Sequence, residues 1–559
     1  MQNQVFVSRV AVLCAFLGSA LAQTPLINSR SVFNAASYMP AGIPASAIAQ
    51  GSVFTIFGSN IGPTTAATAN SFPLGTTLAG VGLNVIQGST TVSAIPVYVS
   101  ASQINAIMPS NAPIGAASLQ VLYNNARSNM APVQIASTAF GIYTALGAGM
   151  GPGILQNYVS PANQPINAPK ISAQPGQTIT LWGTGLGPIT SPDNQAPPAG
   201  SLPVQVQLFV GGVPAQVTYS GRSPCCSGTD QIVFTVPNNA PQGCWVPVYV
   251  KTAGSVVSNF VSMAIQTAGG TCGDPANPQI SSAFVSGGNV GGAIVARVNT
   301  YEDVGVLSPV TVTGDYHLSS AYSLPGATFP FNPGITLPPP GTCTVYAAPG
   351  DLLNGTPLPG SLPPGTTLDL GPPLVLTGPN GLRTLNNTFT GPVRAGFLGG
   401  FISNNILPNS LYLSPGSYSL MGLGGMDVGA FSTSFTIPQP FSWTNQTQTV
   451  TVNRTQPLTV SLSGVASGST IYIAGVGEDL PTNSSAMFLC NVPAAATSFT
   501  VPSDVLSNLP ATRGNPLQSK DVIYVIAAQG GSLQNWKATG INQGATAAFL
   551  VAGKTVVLE

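Results

Sequence analysis

Side chains that could transfer protons are sparse in this chain, and the best cluster of them lies in its second half. Glu302, Asp303 and Asp315 form that cluster, and the only histidine, His317, comes two positions after Asp315. Alternate residues of a β-strand share a face, so Asp315 and His317 would form half of a serine-hydrolase triad. Because the chain has no G-x-S-x-G motif, a solvated strand edge is the favoured interpretation of this pair.

The first part of the chain is poorer still in such groups. No Asp or Glu occurs between residue 23 and Asp193. General acid/base catalysis by paired carboxylates is therefore excluded for that part.

Two other arrangements could bind a metal ion. Glu478 and Asp479 could ligate calcium in a loop, but the D-x-D-x-D spacing is missing, so they are interpreted as turn residues. Zinc would need closely spaced Cys or His ligands, and the chain has no C-x-x-C pair. We expect neither a metal nor another cofactor.

Cysteines are the other reactive side chains. The chain has seven, and Cys14 lies in the apolar segment at the start. The other six are an even number, which is typical of disulfides in an oxidising compartment.

The predicted strand order limits which cysteines can meet. Cys226 and Cys244 would lie at opposite ends of a β-sandwich, roughly 20 Å apart along one strand, which is beyond disulfide reach. A returning strand would bring Cys272 to the Cys244 end. The predicted pairs are Cys225–Cys226, Cys244–Cys272 and Cys343–Cys490.

Tryptophans matter because an exposed indole ring can stack on a sugar. Trp443 and Trp536 lie among polar residues, so they are candidate glycan-stacking platforms. Trp182 in LWGTG is equivalent to Phe57 of the first copy and is expected at a core strand position, and Trp245 is expected in the core or on a sheet face.

The start of the chain predicts export. Arg9 precedes the apolar run VAVLCAFLG, and Ala20 and Ala22 form an A-x-A site, which is typical of a secretory signal peptide cleaved after Ala22. A lipoprotein signal is the alternative because Cys14 lies in the run, but no small-residue box leads to it. After residue 22 no apolar run reaches the about 18 residues of a membrane-spanning helix, so no membrane insertion is expected after cleavage.

The charge balance excludes two kinds of partner. Charged residues make up 5% of the chain, with 14 Lys and Arg against 14 Asp and Glu. Such a chain has no basic field for nucleic acid and no polybasic segment for anionic lipid. The expected partner is an unknown extracellular protein or polysaccharide.

Short strands must position these residues. Runs rich in Val, Ile, Thr, Phe and Tyr recur from residue 53 to 558, and 64 Gly and 52 Pro argue against long helices. Val501–Pro510 is the one candidate helical turn. The predicted fold class is all-β.

An internal repeat divides the first half of the chain. GSVFTIFGSNIGP (Gly51–Pro63) returns as GQTITLWGTGLGP (Gly176–Pro188), and QINAIMPSNAPIG (Gln103–Gly115) returns as QIVFTVPNNAPQG (Gln231–Gly243). A phosphate-binding loop is excluded because neither a following helix nor a Gly-Lys-Ser/Thr ending is present. Each copy has the size and strand number of an immunoglobulin-like β-sandwich.

The repeated region resembles a known family. The motifs VFNAASYMPAGIPASAIAQGSVFTIFGSNIGP, LFVGGVPAQVTYSG and NNAPQGCWVPVYV are similar to the Solibacter-type uncharacterised C-terminal domain, and the resemblance covers about residues 30–266. It implies secreted bacterial proteins with paired IPT/TIG-like, immunoglobulin-like modules. It brings no catalytic residues, because the family has no established activity.

A Pro-rich region and a further β-rich region follow the repeat. The predicted organisation is a signal peptide (1–22), Ig-like module 1 (23–137), Ig-like module 2 (138–267), a linker (268–279), a β-sandwich module (280–442) and a C-terminal β-module (443–559).

Three functions fit this organisation. The leading hypothesis is a secreted or cell-surface, non-enzymatic interaction or structural protein of unknown ligand. The alternative is an extracellular glycan-binding protein that uses Trp443 and Trp536. A third hypothesis is a hydrolase that uses Asp315 and His317 in the 280–442 module.

Overall fold

The computed structural model describes most of the chain and shows an almost entirely β protein. The described residues are 24–274, 278–303, 309–334, 336–350, 352, 365–385, 411–513, 521–528, 531 and 533–559. Helix within them is confined to α1 (Pro278–Ser286), α2 (Ser503–Leu506) and a 3₁₀ helix at Gln446–Gln448. The all-β prediction is confirmed, and α2 lies within the predicted helical turn. The predicted signal peptide lies outside the described residues.

Module 1 is a β-sandwich in which strand β7 passes from one layer to the other. The strand order is β1-β3-β8-β7-β6-β9-β11-β2, and β4, β5 and β10 pair at its margins. Its core contains the fully buried Phe54, Ile56 and Leu83. The strands are β1 (Leu26–Asn34), β2 (Ile48–Ala49), β3 (Val53–Ser59), β4 (Ala67–Thr68), β5 (Thr77–Leu78), β6 (Val81–Gln87), β7 (Thr90–Val99), β8 (Gln103–Ile107), β9 (Gly115–Tyr123), β10 (Ala126–Arg127) and β11 (Ala131–Ala136).

Module 2 repeats this arrangement. Its order β14-β17-β16-β15-β18 follows the order β3-β8-β7-β6-β9 of module 1. Gly51 and Gly176 precede the equivalent strands β3 and β14 with φ of 71° and 80°, a conformation that favours glycine at both turns. The strands are β12 (Gly141–Ile142), β13 (Leu155–Asn157), β14 (Thr178–Thr184), β15 (Val206–Val210), β16 (Val213–Arg222), β17 (Asp230–Thr235), β18 (Gly243–Thr252), β19 (Val256–Val257) and β20 (Val261–Ile265).

The rest of the chain forms several sheets. The largest has the order β23-β33-β32-β35-β37-β21-β22-β24, with β36 paired to β37. Smaller sheets have the orders β26-β25-β27-β28, β29-β31-β34 and β30-β38. The strands are β21 (Gly288–Glu302), β22 (Val310–Leu324), β23 (Cys343–Pro349), β24 (Thr366–Thr367), β25 (Leu374–Gly378), β26 (Gly381–Leu385), β27 (Gly416–Gly422), β28 (Phe431–Ile437), β29 (Ser442–Trp443), β30 (Thr451–Val452), β31 (Leu458–Ser463), β32 (Thr470–Asp479), β33 (Ser484–Val492), β34 (Ser498–Val501), β35 (Val522–Ala528), β36 (Leu533–Ala538), β37 (Ile541–Thr555) and β38 (Val557–Leu558).

The predicted division of this region into 280–442 and 443–559 is wrong. Strand β21 pairs in parallel with β37 from Val290↔Gln543 to Tyr301↔Lys554. Both predicted modules therefore supply strands to one sheet, and we call residues 278–559 the C-terminal domain. Local sequence patterns could not reveal this, because a parallel pair joins segments that are distant in the chain.

The predicted linker 268–279 is also corrected. The amide of Ser172 donates to the carbonyl of Gly270, and the amide of Cys272 donates to the carbonyl of Pro169. The Cys244–Cys272 disulfide holds the same segment. The first part of the predicted linker is thus attached to module 2, and α1 begins at Pro278.

Both repeated modules pack against the C-terminal domain. Met39 and Ile43 of module 1 and Tyr249 and Phe260 of module 2 belong to its largest hydrophobic cluster. Lys251 Nζ lies 2.7 Å from the Asp504 carboxylate. Apolar burial, with one ion pair at the junction, therefore joins module 2 to the C-terminal domain.

The two α-helices are short, with nine residues in α1 and four in α2. In the part of the chain that the structure describes, none is long and apolar enough to cross a membrane.

Candidate functional site

The Asp315 and His317 side chains are placed on one face of β22, but Asp315 is engaged in a structural contact. Arg297 on the neighbouring strand binds the carboxylate with both nitrogens, Nε to Oδ1 at 2.7 Å and Nη2 to Oδ2 at 2.8 Å. The backbone amides of Tyr412 and Leu413 also donate to Oδ2. Asp315 is 3% exposed. The predicted solvated strand edge is therefore wrong, because the carboxylate holds segment 411–413 against the sheet.

His317 lies on the same face of β22 as Asp315, and its Nδ1 lies 3.5 Å from the hydroxyl of Tyr412. The Asp315 carboxylate accepts hydrogen bonds from the Arg297 fork and from two backbone amides. These contacts give the carboxylate a structural role at this edge of the sheet.

Glu478 and Asp479 end strand β32 and are buried, 4% and 0% exposed. The turn interpretation is thus wrong. Thr482 Oγ1 donates to Asp479 Oδ2 at 2.6 Å, and the amide of Glu478 donates to Asp521 Oδ1 at 2.8 Å. In the described part of the chain no group of three or more His, Cys, Asp or Glu has the arrangement of a metal site.

The six cysteines form three disulfides. The pairs are Cys225–Cys226, Cys244–Cys272 and Cys343–Cys490, which are the pairs predicted from the strand order. Cys343 and Cys490 lie directly opposite each other on β23 and β33. Cys225 and Cys226 are both exposed on the loop between β16 and β17.

The two predicted glycan-stacking platforms are core residues. Trp443 is 4% exposed, and its indole N–H donates to Asn445 Oδ1 at 2.9 Å. Trp536 is 5% exposed and stacks on Phe431, with ring centroids 3.9 Å apart. The prediction of stacking at these two residues is wrong, because tertiary packing covers rings that lie among polar residues in the sequence.

A different tryptophan lies at the surface. Trp182 on β14 is half-buried rather than in the core, which corrects the sequence prediction. Its indole N–H donates to Oε1 of Gln156 on the neighbouring strand β13 at 2.7 Å. This hydrogen bond fixes the orientation of the ring.

Amide and hydroxyl side chains surround Trp182 on the same face. Gln231 lies directly opposite Trp182 on β17, and Gln156 lies opposite Thr180. Thr178 lies two residues further along β14. Gln231, Gln156 and the two threonines are all half-buried. We call the outward face that bears Trp182, Gln156, Gln231, Thr180, Thr178 and Tyr158 the aromatic–amide face.

Tyr158 lies at the far end of this face. It follows β13, and its amide donates to the carbonyl of Thr178 at 3.0 Å. Asn157 before it is 2% exposed, so alternation directs Tyr158 outward, and 43% of Tyr158 is exposed. The face therefore has an aromatic ring at each end and no charged residue among its members.

Module 1 covers the equivalent place with its own side chains. Phe57 is the counterpart of Trp182, and it lies opposite Gln103, the counterpart of Gln231. The ring of Tyr38 lies 6.4 Å from the Phe57 ring at an interplanar angle of 29°, and Phe33 lies 6.1 Å away. In module 1 two other aromatic rings thus lie near the residue equivalent to Trp182, and Phe57 is half-buried as Trp182 is.

The other outward face of module 2 is covered. Phe209, Tyr249 and Phe260 stack in succession, with centroid distances of 4.8 and 4.4 Å. Burial, together with the nearby Asp504 carboxylate, raises the pKa of Tyr249 well above its ordinary value. This face packs on the C-terminal domain, whereas the members of the aromatic–amide face are half-buried or, at Tyr158, exposed.

A buried ion pair supports the end of β14 that carries Trp182. Arg222 binds Asp230, and the amides of Gly185 and Leu186 donate to Asp230 Oδ2 at 2.7 and 2.8 Å. Burial raises the pKa of Asp230 to about 6, and the Arg222 charge opposes that rise. The carboxylate thereby holds the turn after Trp182 in place.

One sequence signal could have located Trp182 correctly. In TITLW the buried Ile179 and Leu181 alternate with Thr178, Thr180 and Trp182. Trp182 therefore points to the same side of the strand as the outward-facing threonines. The prediction for Trp182 rested on its equivalence to Phe57 and did not use this alternation.

The fold and this face define an all-β protein with two immunoglobulin-like sandwiches on a larger β-domain. No protein-family model matches the chain, and no curated protein matches it. The resemblance to the Solibacter-type domain therefore stays a prediction.

Several solved structures are similar to parts of the chain. The I9–I11 tandem of titin is 6% identical, covers 70% of this chain and 93% of its own, and has a TM-score of 0.12. SGBP-B from a complex xyloglucan utilization locus in Bacteroides uniformis is 10% identical, covers 86% and 98%, and has a TM-score of 0.15.

The extracellular region of plexin A4 is 15% identical and covers 44% of this chain, with a TM-score of 0.15. The matched region spans only 18% of the plexin chain. At these TM-scores the likenesses carry no argument about this protein.

Proposed function

We propose that this chain is an exported, non-enzymatic binding protein that takes a neutral polysaccharide on the aromatic–amide face of module 2. The observation that carries the proposal is the half-buried indole of Trp182, oriented by Gln156 and bordered by Gln231. A sugar ring has apolar C–H faces and polar hydroxyl edges. An indole face suits the first, and amide and hydroxyl side chains suit the second.

The charge of the face supports a neutral ligand. Trp182, Gln156, Gln231, Thr180, Thr178 and Tyr158 are all uncharged. An anionic ligand would be expected to meet Arg or Lys side chains, which form the strong, charge-assisted hydrogen bonds to carboxylates and phosphates. Polyuronates and nucleic acids are therefore poor candidates.

Module 1 supports the same assignment. At the equivalent position the Tyr38 ring lies beside Phe57, with centroids 6.4 Å apart. This internal contact indicates that the position accepts a flat ring against its aromatic side chain. In module 2 a ligand would supply that ring.

The non-enzymatic part of the proposal is supported by two carboxylates that are held in ion pairs. Asp315 is bound by Arg297, and Asp230 is bound by Arg222. Both carboxylates have structural partners, since Asp315 also holds the backbone of Tyr412 and Leu413 and Asp230 holds the turn after Trp182. Neither belongs to the aromatic–amide face.

Export is supported by the disulfides. Three disulfides fit an oxidising compartment, because cytosolic thiols are kept reduced. Cleavage after Ala22 would be tested by N-terminal sequencing of the protein collected from the culture medium or the cell envelope.

The experiment is a glycan array probed with the full mature chain. We expect signal on neutral glucans, mannans, xylans or galactans, and none on polyuronates. Trp182→Ala should lower the affinity at least about tenfold, as truncation of a central aromatic anchor does. Trp182→Phe should retain part of the affinity because it keeps a ring.

The matched control is Trp443→Phe, which changes a buried tryptophan outside the face. It should bind as the unaltered chain does. Equal binding by the Trp182→Ala variant, or an array without signal, would contradict the proposal. Release of reducing ends from any bound polysaccharide would contradict its non-enzymatic part.

A second candidate function is structural, as a building block of a surface layer or matrix. The packing of both modules on the C-terminal domain favours it, because Tyr249 and Phe260 are buried there. Sedimentation of the purified chain into large assemblies, without glycan binding, would favour this candidate over the first.

A further inference from the structure

We infer that Tyr158 forms a second aromatic subsite, so that the aromatic–amide face binds an extended oligosaccharide lying along β14 rather than a single sugar. This inference rests on the proposed function and specifies its ligand.

Trp182 and Tyr158 lie at opposite ends of the same strand pair. Tyr158 is adjacent to Thr178 through the hydrogen bond from its amide, and Thr178 is four residues before Trp182. Residues of a β-strand rise about 3.3 Å each, so the two positions are about 13 Å apart along β14. That distance exceeds the width of one sugar ring.

The surface between the rings is suited to the middle of a sugar chain. Gln156 lies between them and pairs with Thr180 on one side and with Ile166 on the other. Gln156 Nε2 also donates to the carbonyl of Gln164 at 3.4 Å. An amide, a hydroxyl and an apolar side chain thus alternate where hydroxyl and C–H groups of a ligand would alternate.

The segment that carries Tyr158 is held by buried amide side chains. Asn157 Nδ2 donates to the carbonyl of Ile171 at 2.9 Å, and Asn167 Nδ2 donates to Asn157 Oδ1 at 3.1 Å. Asn167 also exchanges two hydrogen bonds with the backbone of Ala264 on β20, at 2.7 and 2.9 Å. Tyr158 is therefore placed before any ligand arrives, which lowers the entropic cost of binding.

Two subsites predict that affinity depends on the length of the ligand, whereas one subsite does not. A short oligosaccharide can contact one ring, whereas a longer one contacts both in a single binding event. Affinity should then rise with chain length until the ligand spans both rings, because the second contact is intramolecular.

The experiment measures this length dependence on the full mature chain. The probes are cello-, manno- and malto-oligosaccharides from the disaccharide to the octasaccharide, with affinities from isothermal titration calorimetry. The variants are Tyr158→Ala, Trp182→Ala and the matched control Val159→Ala, whose exposed side chain follows Tyr158 in the bend after β13 and is not a member of the aromatic–amide face.

For the unaltered chain we expect affinity to rise with length for at least one of the three series. Tyr158→Ala should remove that rise, with about a tenfold loss for the longest members and none for the disaccharide. Trp182→Ala should weaken binding at every length. Val159→Ala should behave as the unaltered chain.

The experiment distinguishes failure of the second subsite from failure of the proposed function. If Tyr158→Ala binds every length as the unaltered chain does while Trp182→Ala does not, the second subsite is wrong and the proposed function stands. If Trp182→Ala also binds normally, the proposed face is wrong. If the unaltered chain binds none of the three series, the inference is wrong for these sugars, and the polysaccharide array decides the proposed function independently.

Discussion

The indole N–H of Trp182 donates to the side-chain oxygen of Gln156 across two neighbouring strands, at 2.7 Å. The two residues come from β14 and β13, and a third residue, Gln231, lies opposite Trp182 on β17. Trp182 is thus hydrogen-bonded to one glutamine and lies opposite another in the sheet. This arrangement presents a fixed aromatic surface bordered by amides.

Substitution of Gln156 tests how the ring is held. Gln156→Leu removes the acceptor but keeps a side chain of similar length, so the half-buried indole N–H loses its partner. We expect the free energy of unfolding to fall by about 1 kcal/mol, the net value of one hydrogen bond. Glycan affinity should fall several-fold, measured by calorimetry. Unchanged affinity would show that the ring does not need this contact.

The tryptophans of the core should behave in the opposite way. Trp443→Ala removes a 4% exposed ring and should lower the free energy of unfolding by about 3–5 kcal/mol, measured by denaturant unfolding. Glycan affinity of the folded fraction should not change. A loss of affinity with normal stability would restore Trp443 as a stacking platform.

The Asp315 carboxylate should matter for stability and not for catalysis. Asp315→Ala leaves the Arg297 guanidinium without its bidentate partner and frees the amides of Tyr412 and Leu413. We expect a loss of about 3 kcal/mol in the free energy of unfolding. His317→Ala, which changes the neighbouring half-buried residue on the same face, should cost less. Equal effects of the two changes would contradict this account.

Asp230 should make stability depend on pH in a defined direction. Its pKa rises from 3.8 to about 6 on folding, mainly because the carboxyl is buried. The folded state therefore holds the proton more tightly than the unfolded chain. This contribution to stability is complete below pH 3.8 and is lost as the pH rises through about 6.

The measurement is the free energy of unfolding across that pH range, for the unaltered chain and for Asp230→Asn. The part of the slope that Asp230 contributes should disappear in the variant, which cannot ionise at this position. The same slope in both proteins would show that other groups cause it.

The three disulfides should contribute unequally to stability. Cys343 and Cys490 are 147 residues apart in sequence, whereas Cys225 and Cys226 are adjacent. Closing a loop of that length restricts the unfolded chain by about 5 kcal/mol in the chain-entropy model, and joining neighbours restricts it little. Replacing Cys343 and Cys490 by Ser should therefore lower the melting temperature far more than replacing Cys225 and Cys226, as measured by calorimetry.

The repeat shows how far local sequence could predict this fold. The alternation in Thr178–Thr184 identifies that strand and its buried face, and the glycines before Val53–Ser59 and Thr178–Thr184 mark equivalent turns. The Cys244–Cys272 pair followed from strand direction, and the other two pairs followed from the cysteines that remained. Each of these features depends on a few neighbouring residues, which is why the sequence is sufficient.

Local sequence patterns predicted the candidate site less well than the fold. Trp443 and Trp536 have polar neighbours in the sequence, yet Trp536 is stacked on Phe431, more than 100 positions away. Trp182 has apolar neighbours, yet it lies at the surface. A sequence neighbour and a spatial neighbour are different residues in a sheet built from distant strands.

The sequence by itself therefore determined the all-β class and the duplicated module, because alternation and turn residues act over a few positions. Only the tertiary structure decided that β21 pairs with β37 and that one outward face of module 2 is covered while the other is open. Those outcomes depend on burial of apolar area between segments far apart in the chain, and no local pattern records which surfaces meet.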